Sequence, residues 1–167
     1  MELVPTNEHE AQHAPDHSAF WLDVYRLLTH CLASERIAAI PRPGRRGLRS
    51  YDRSEIFRLL INLASCYRVK YDDGSWVHVS YLQGEHEGVG RLHPDETRSE
   101  DQRLEFRDAC NKIIHANRLH FDGDVNEATG IEYINPKIYL YGEKSGKAWR
   151  ATLDVVEFCK AANSIIV

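Results

Sequence analysis

No apolar stretch of this 167-residue chain is long enough to cross a bilayer. The longest, within residues 56–64, is broken by Arg58 and Asn62. The first twenty residues are polar and acidic rather than basic and then apolar, so no secretory leader is expected and the cytoplasm is the expected compartment. No CxxC pair occurs. The four cysteines, Cys31, Cys66, Cys110 and Cys159, lie far apart, which points to buried free thiols rather than a disulfide framework. Internal repeats and low-complexity tracts are also missing. Nor is there an excess of positive charge: 21 Lys and Arg face 25 Asp and Glu, a net charge of −4. Any footprint for a polyanion must therefore be local.

What is there suits one folded domain, with 43% hydrophobic and 28% charged residues. Residues 1–15 hold Pro5, Pro15, three acids and almost no large apolar groups, and read as a flexible N-terminal extension to a single domain over 16–167. Phe20, Trp21, Val24, Tyr25, Leu28, Cys31 and Leu32 recur at helical spacing, which predicts a helix ending before Pro41 and Pro43. A second helix carries Ile56, Phe57, Leu59, Leu60, Leu63, Ala64 and Tyr67; being apolar on most sides, it is expected at the centre. Residues 76–81 alternate and suit a short strand or an irregular segment, and 83–95 read as a loop. Thr97 with Glu100, or Ser99 with Gln102, fits a capping box for a third helix running to about His120. A polar turn is expected from Asp122 to Gly130. Strand character at 131–133 and 137–141, a turn at 142–146 and a second strand at 148–153 predict a hairpin. Asp154 and Glu157 cap a last helix bearing Val155, Phe158, Cys159, Ala162 and Ile166. The expected fold is mainly α, about four helices with a small C-terminal β-hairpin.

Two strings look like metal sites. His9-Glu-Ala-Gln-His13 matches HExxH, whose chemistry needs two histidines one turn apart on a rigid helix. Pro5, Pro15 and the lack of apolar neighbours oppose such a helix. Asp122-Gly-Asp-Val-Asn126 opens like a calcium loop, but Glu127 and Tyr133 stand where glycine and a bidentate glutamate are needed. No metal or other cofactor is expected. Arg42, Arg45, Arg46, Arg49 and Arg53 crowd a glycine-containing stretch, either as a phosphate track or as a solvated connector pairing with nearby acids.

The stretch Phe106-Arg-Asp-Ala-Cys-Asn-Lys-Ile-Ile-His-Ala116 carries the most chemistry. On a helix, Phe106, Ala109, Cys110, Ile113 and Ile114 form an apolar stripe, edged by a column of Arg107, Asn111 and His115, with Arg118 in the same arc. An imidazole there can take a proton from a ribose 2′-hydroxyl, a guanidinium can stabilise charge on phosphorus, and an amide can orient either. The same column can also be a hydrogen-bonded helix flank.

Residues 104–116, Leu-Glu-Phe-Arg-Asp-Ala-Cys-Asn-Lys-Ile-Ile-His-Ala, resemble the signature helix of the HEPN superfamily, small helical bundles of bacterial toxin–antitoxin and antiviral systems. By position Asn111 and His115 match that family's polar residue and histidine, Cys110 occupies its arginine position, and Arg107 lies one turn earlier. The resemblance implies a HEPN-like helical bundle and a metal-independent endoribonuclease whose site forms where two such helices meet in a homodimer. His115 would be the acid–base, Arg107, with Arg118, the phosphate stabiliser and Asn111 the orienting group, with the arginines of 42–53 as RNA track. The alternative is a catalytically silent module binding RNA, an antitoxin or another protein. A zinc hydrolase using His9 and His13 is the remaining and weakest reading. None of these involves a membrane.

Overall fold

Phe20, Val24, Leu27, Cys31 and Ala38 are buried at intervals of three, four and seven residues, and this stripe makes α1 (His17–Ala38). The computed structural model describes residues 17–40, 48–72, 74, 77–78, 88–95 and 101–166. The first helix thus forms where its periodicity predicts, but rotated. Leu27 is fully buried, while Tyr25 and Leu32 are 66% and 57% exposed. Helix α2 (Leu48–Asp72) buries Ile56, Leu59, Leu60, Leu63, Ala64 and Tyr67 and leaves Phe57 exposed. The two helices are tied by His30 Nδ1, 3.4 Å from Asp52 Oδ1.

The mainly α expectation is overturned. After β1 (Val77–His78) come β2 (Gly90–His93), β3 (Gln102–Arg103), α3 (Phe106–His115), β4 (Arg118–Val125), β5 (Glu132–Lys144), β6 (Lys147–Asp154), α4 (Val155–Ala162) and β7 (Ile165–Ile166). Five of these strands make one antiparallel sheet in the order β3-β2-β6-β5-β4, and β1 pairs with β7 apart from it. The fold is therefore mixed α/β, with a five-stranded sheet in place of a small hairpin.

Each misread element has a local cause. β2 lies in the glycine-rich stretch expected as a loop, where Gly90 runs so close to β6 that a Cβ would overlap the Thr152 carbonyl. β3 holds residues expected in the first turn of the third helix, so that helix begins only at Phe106. The capping residues expected at 97, 99 and 100 lie outside the described residues. Arg118 and His120 belong to β4, as do Asp122 and Asp124 of the expected turn. β5 is one strand across Asn135-Pro136, because the ladder shifts register there: Phe121 pairs Ile138, and Gly123 pairs Ile134. The extra β5 residues bulge, so Pro136 sits outside the regular ladder. Ile166 is in β7, not on the last helix.

Leu92, Ile134, Ile138, Leu140, Trp149, Ala151 and Leu153 project from one sheet face into a core shared with all four described helices. Asp154 ends β6 and caps α4, its Oδ1 accepting from the backbone N–H of Val156 (3.0 Å) and Glu157 (3.1 Å). Such a cap contributes about 1 kcal/mol. Ser34, buried in α1, accepts from the Ile134 N–H (2.9 Å), and Thr129 donates to the Ala38 carbonyl (2.7 Å). These bonds fix α1 against the start of β5.

All four cysteines are free thiols; Cys31, Cys110 and Cys159 are buried. Burial, helped by the Asp154 carboxylate, pushes Cys31 up to about 12. Burial likewise pushes Cys159 up to about 12 and the half-buried Cys66 up to about 11, and raises Cys110 as well. The protonated thiols favour the folded state fully below about pH 9, and that contribution is lost as pH rises towards 12. Unfolding midpoints should therefore fall in alkali above pH ~9, measurable by urea titration. A thiol-specific dye should label Cys31, Cys110 and Cys159 only after denaturation; fast labelling of these three in the native protein would contradict the burial.

Candidate functional site

Phe106, Ala109, Cys110 and Ile113 anchor α3 to the core, so its opposite face is directed outward. Asp108 lies in the first turn and Lys112 in the last, charges that complement the helix dipole. The helix stops at Ala116, whose extended backbone (φ −69°, ψ 129°) leads Asn117 into a bond with the Tyr141 carbonyl, 2.9 Å. His115 is therefore held at the last helical position, three residues before Arg118 starts β4.

Between this face and the end of the β5–β6 hairpin lies an open groove of about 540 Å³, lined by Asp108, Asn111, Lys112, His115, Glu143, Lys144 and Trp149. Its floor follows from one glycine. Gly142 pairs with Trp149 across the hairpin, and a Cβ at 142 would overlap the indole. The bare strand lets the Trp149 ring lie down, and Lys112 Nζ rests 4.1 Å from the ring centre. Partial burial and the neighbouring Lys144 ammonium hold Lys112 below the ordinary lysine value, while Asp108 pulls the other way. Two cations, an imidazole, an amide and two carboxylates thus share one accessible hollow.

Asn111 and His115 are brought together here, His115 exposed and Asn111 half-buried. Among the described residues no ion pair or side-chain hydrogen bond occupies the His115 ring. Arg107 is not part of the groove. Its guanidinium lies 4.9 Å from the Tyr71 ring centre and 3.8 Å from Asp72 Oδ1, on the α2 side of the helix. Cys110 is fully buried, so a guanidinium at the position where HEPN proteins carry arginine would face the core. Arg118 stands on the sheet, its Cζ 4.3 Å from the Tyr141 ring centre. Arg53 sits in α2, 5.8 Å from the Phe121 ring centre, and Arg49 also falls within α2 rather than in a loop. Arg42, Arg45 and Arg46 lie outside the described residues, as do His9 and His13. Among the described residues, no three His, Cys, Asp or Glu side chains group as metal ligands.

Sequence reading missed Lys112, Lys144, Glu143 and Trp149 as site residues. The hairpin register brings 143, 144 and 149 to α3, and no local pattern announces that encounter.

The chain matches no family model, no curated protein and no solved structure. No described helix is long and apolar enough to cross a membrane.

Proposed function

We propose that the protein acts on RNA, cleaving it without a metal in the groove between α3 and the β5–β6 hairpin. The observation that carries this reading is His115, Asn111, Lys112 and Lys144 lining one open groove. His115 takes the proton of a ribose 2′-hydroxyl, and that oxygen attacks the adjacent phosphorus. The 5′-oxygen leaves with a proton returned by the imidazolium, giving a 2′,3′-cyclic phosphate and a 5′-hydroxyl. Lys112 and Lys144 stabilise the charge that builds on the phosphoryl oxygens, the part that the family resemblance would give to Arg107. Asn111, one turn from His115, orients the phosphate or the ring. The likeness of residues 104–116 to the HEPN helix supports the roles of Asn111 and His115, without the bundle it implied. All the residues this reading uses come from one chain.

A second reading, RNA binding without cleavage, is favoured by the engagement of Arg107 with Tyr71 and Asp72. Incubation of single-stranded RNA with purified protein in excess chelator separates the two. Cleavage is expected to persist, to leave cyclic-phosphate ends, and to spare strands lacking the 2′-hydroxyl. Loss of activity in chelator would overturn the metal-free mechanism, and intact RNA that is retained by the protein would favour the silent module.

A further inference from the structure

The sheet face turned away from the four described helices is built from two cross-strand rows. The pairing register sets Arg118 of β4 beside Tyr141 of β5, then Arg150 of β6, then His93 of β2. The next row runs His120, Tyr139, Thr152, Arg91 and Arg103, one residue from each of the five strands. Both follow from period-two alternation, since Leu119, Ile138, Leu140, Ala151, Leu153 and Leu92 point to the core between them. Arg91, Arg103, Arg118 and His120 are exposed, and Tyr139, Tyr141, Arg150 and His93 are half-buried.

This face is cationic in a chain of net charge −4. Its two rows hold four arginines, two histidines and two tyrosines, and no carboxylate. Acids stand at the margins: Asp101 Oδ1 is 2.8 Å from His93 Nε2, and Asp122 accepts from the Tyr139 hydroxyl at 3.4 Å. The rows beyond lose the pattern, with Lys137 opposite Asp154 and Glu143 opposite Ala148. The patch is thus bounded by its own chemistry. Strands lie roughly 4.8 Å apart, so the longer row spans roughly 19 Å, and the two rows stand roughly 7 Å apart.

We infer that this open sheet face is a binding platform for single-stranded RNA, its tyrosines stacking unpaired bases and its arginines holding the flanking phosphates. Flat rings with guanidiniums on either side suit a strand whose bases are free. Tyr141 pairs with Arg118 on one strand and Arg150 on the other; the Arg118 guanidinium lies over one face of its ring, 4.3 Å from the centre, and Arg150 Nη2 is 3.0 Å from His93 Nε2. A duplex keeps its bases stacked inside and offers such a surface only phosphates. The choice of RNA over DNA rests on the groove reading; recognition of an unpaired polyanion stands on the sheet alone.

The test uses the full chain and a short labelled 2′-O-methyl oligouridine, which has no free 2′-hydroxyl and cannot be cut. Failure of the cleavage reading therefore leaves this measurement intact. Fluorescence anisotropy is expected to show binding that weakens with salt and exceeds binding of an equally long duplex. Tyr141→Leu should weaken it about tenfold or more, and Tyr141→Phe should restore it, because stacking needs the ring rather than the hydroxyl. Arg118→Gln with Arg150→Gln should flatten the log–log salt dependence by about 1.4, at about 0.7 for each phosphate that is no longer neutralised. The arginine pair keeps the inference testable should the leucine variant fold poorly, which a circular-dichroism melt detects. No binding by the wild type, equal affinity for the duplex, or an unchanged salt slope in the arginine pair would each overturn it.

Discussion

His115→Ala is expected to slow RNA cleavage by about 10²- to 10⁴-fold, the usual worth of a positioned acid–base group. Its effect on folding should be small. The ring is exposed, and among the described residues it makes no hydrogen bond that removal would orphan. A surface position of this kind moves stability by about 0.5 kcal/mol or less, so thermal melts of variant and wild type should overlap. The measurement is a single-turnover cleavage rate in chelator, with His115→Gln as a polar control of similar size. If the imidazole moves protons, both variants lose the rate, because neither an amide nor a methyl group exchanges a proton near neutral pH. A rate within threefold of wild type in either variant would remove His115 from the mechanism. The neighbouring ammonium should behave differently: Lys112→Met leaves the imidazole in place and removes only charge stabilisation, so proton transfer remains possible at a reduced rate.

Phe158→Ala should produce the largest loss of stability, about 3–5 kcal/mol. Phe158 is fully buried in α4, its ring centre 4.7 Å from that of Phe106, which lies 4.7 Å from Tyr67 in turn. Three helices, α2, α3 and α4, meet through these rings. The cavity left by truncation adds to the lost transfer energy because rings from three separate elements cannot all close over it. At roughly 2–4 °C per kcal/mol for a chain of this size, the melting temperature should drop by roughly 6–20 °C. Phe57→Ala is the control. That ring is 45% exposed, and its removal should change the midpoint little. Equal shifts for the two substitutions would mean that the aromatic cluster is not a structural keystone. Because Phe106 is the first residue of α3, the loss should also loosen the helix that carries the groove.

Helices were legible in the sequence where long apolar stripes exist. α1, α2 and the core of α3 lie where the 3.6-residue period predicts them, and Asp154 caps α4 as its spacing with Glu157 indicates. The sheet was legible only at the β5–β6 hairpin. β2 and β3 contribute four and two residues, too short for a period to register. β4 alternates Leu119 and Phe121 with Arg118 and His120, but it follows α3 after only Ala116 and Asn117, and its first residues extend the helical column on paper. Asn135-Pro136 carries a turn signature inside a single strand, because a bulge and a turn both excuse a missing N–H. For the site, Asn111 and His115 emerged from one helix, where spacing and geometry are the same thing. Lys144 and Trp149 did not, since they reach the groove through strand pairing far along the chain. Arg107 shows the converse: adjacency on a helical wheel placed it beside Asn111, yet the Tyr71 ring on α2 drew it to the other flank.

The order of the strands has a bearing on solubility. A sheet ends in unsatisfied backbone donors and acceptors that invite another chain to zip on. Here one terminal strand, β3, is cut to two residues. The other, β4, loses its regular pairing with β5 between Phe121 and Gly123 and carries Asp122 and Asp124 in that stretch. A strand added along β4 would meet two carboxylates beside an irregular stretch of ladder, so the irregularity that hid this sheet from sequence reading also helps guard its border against runaway edge-to-edge assembly.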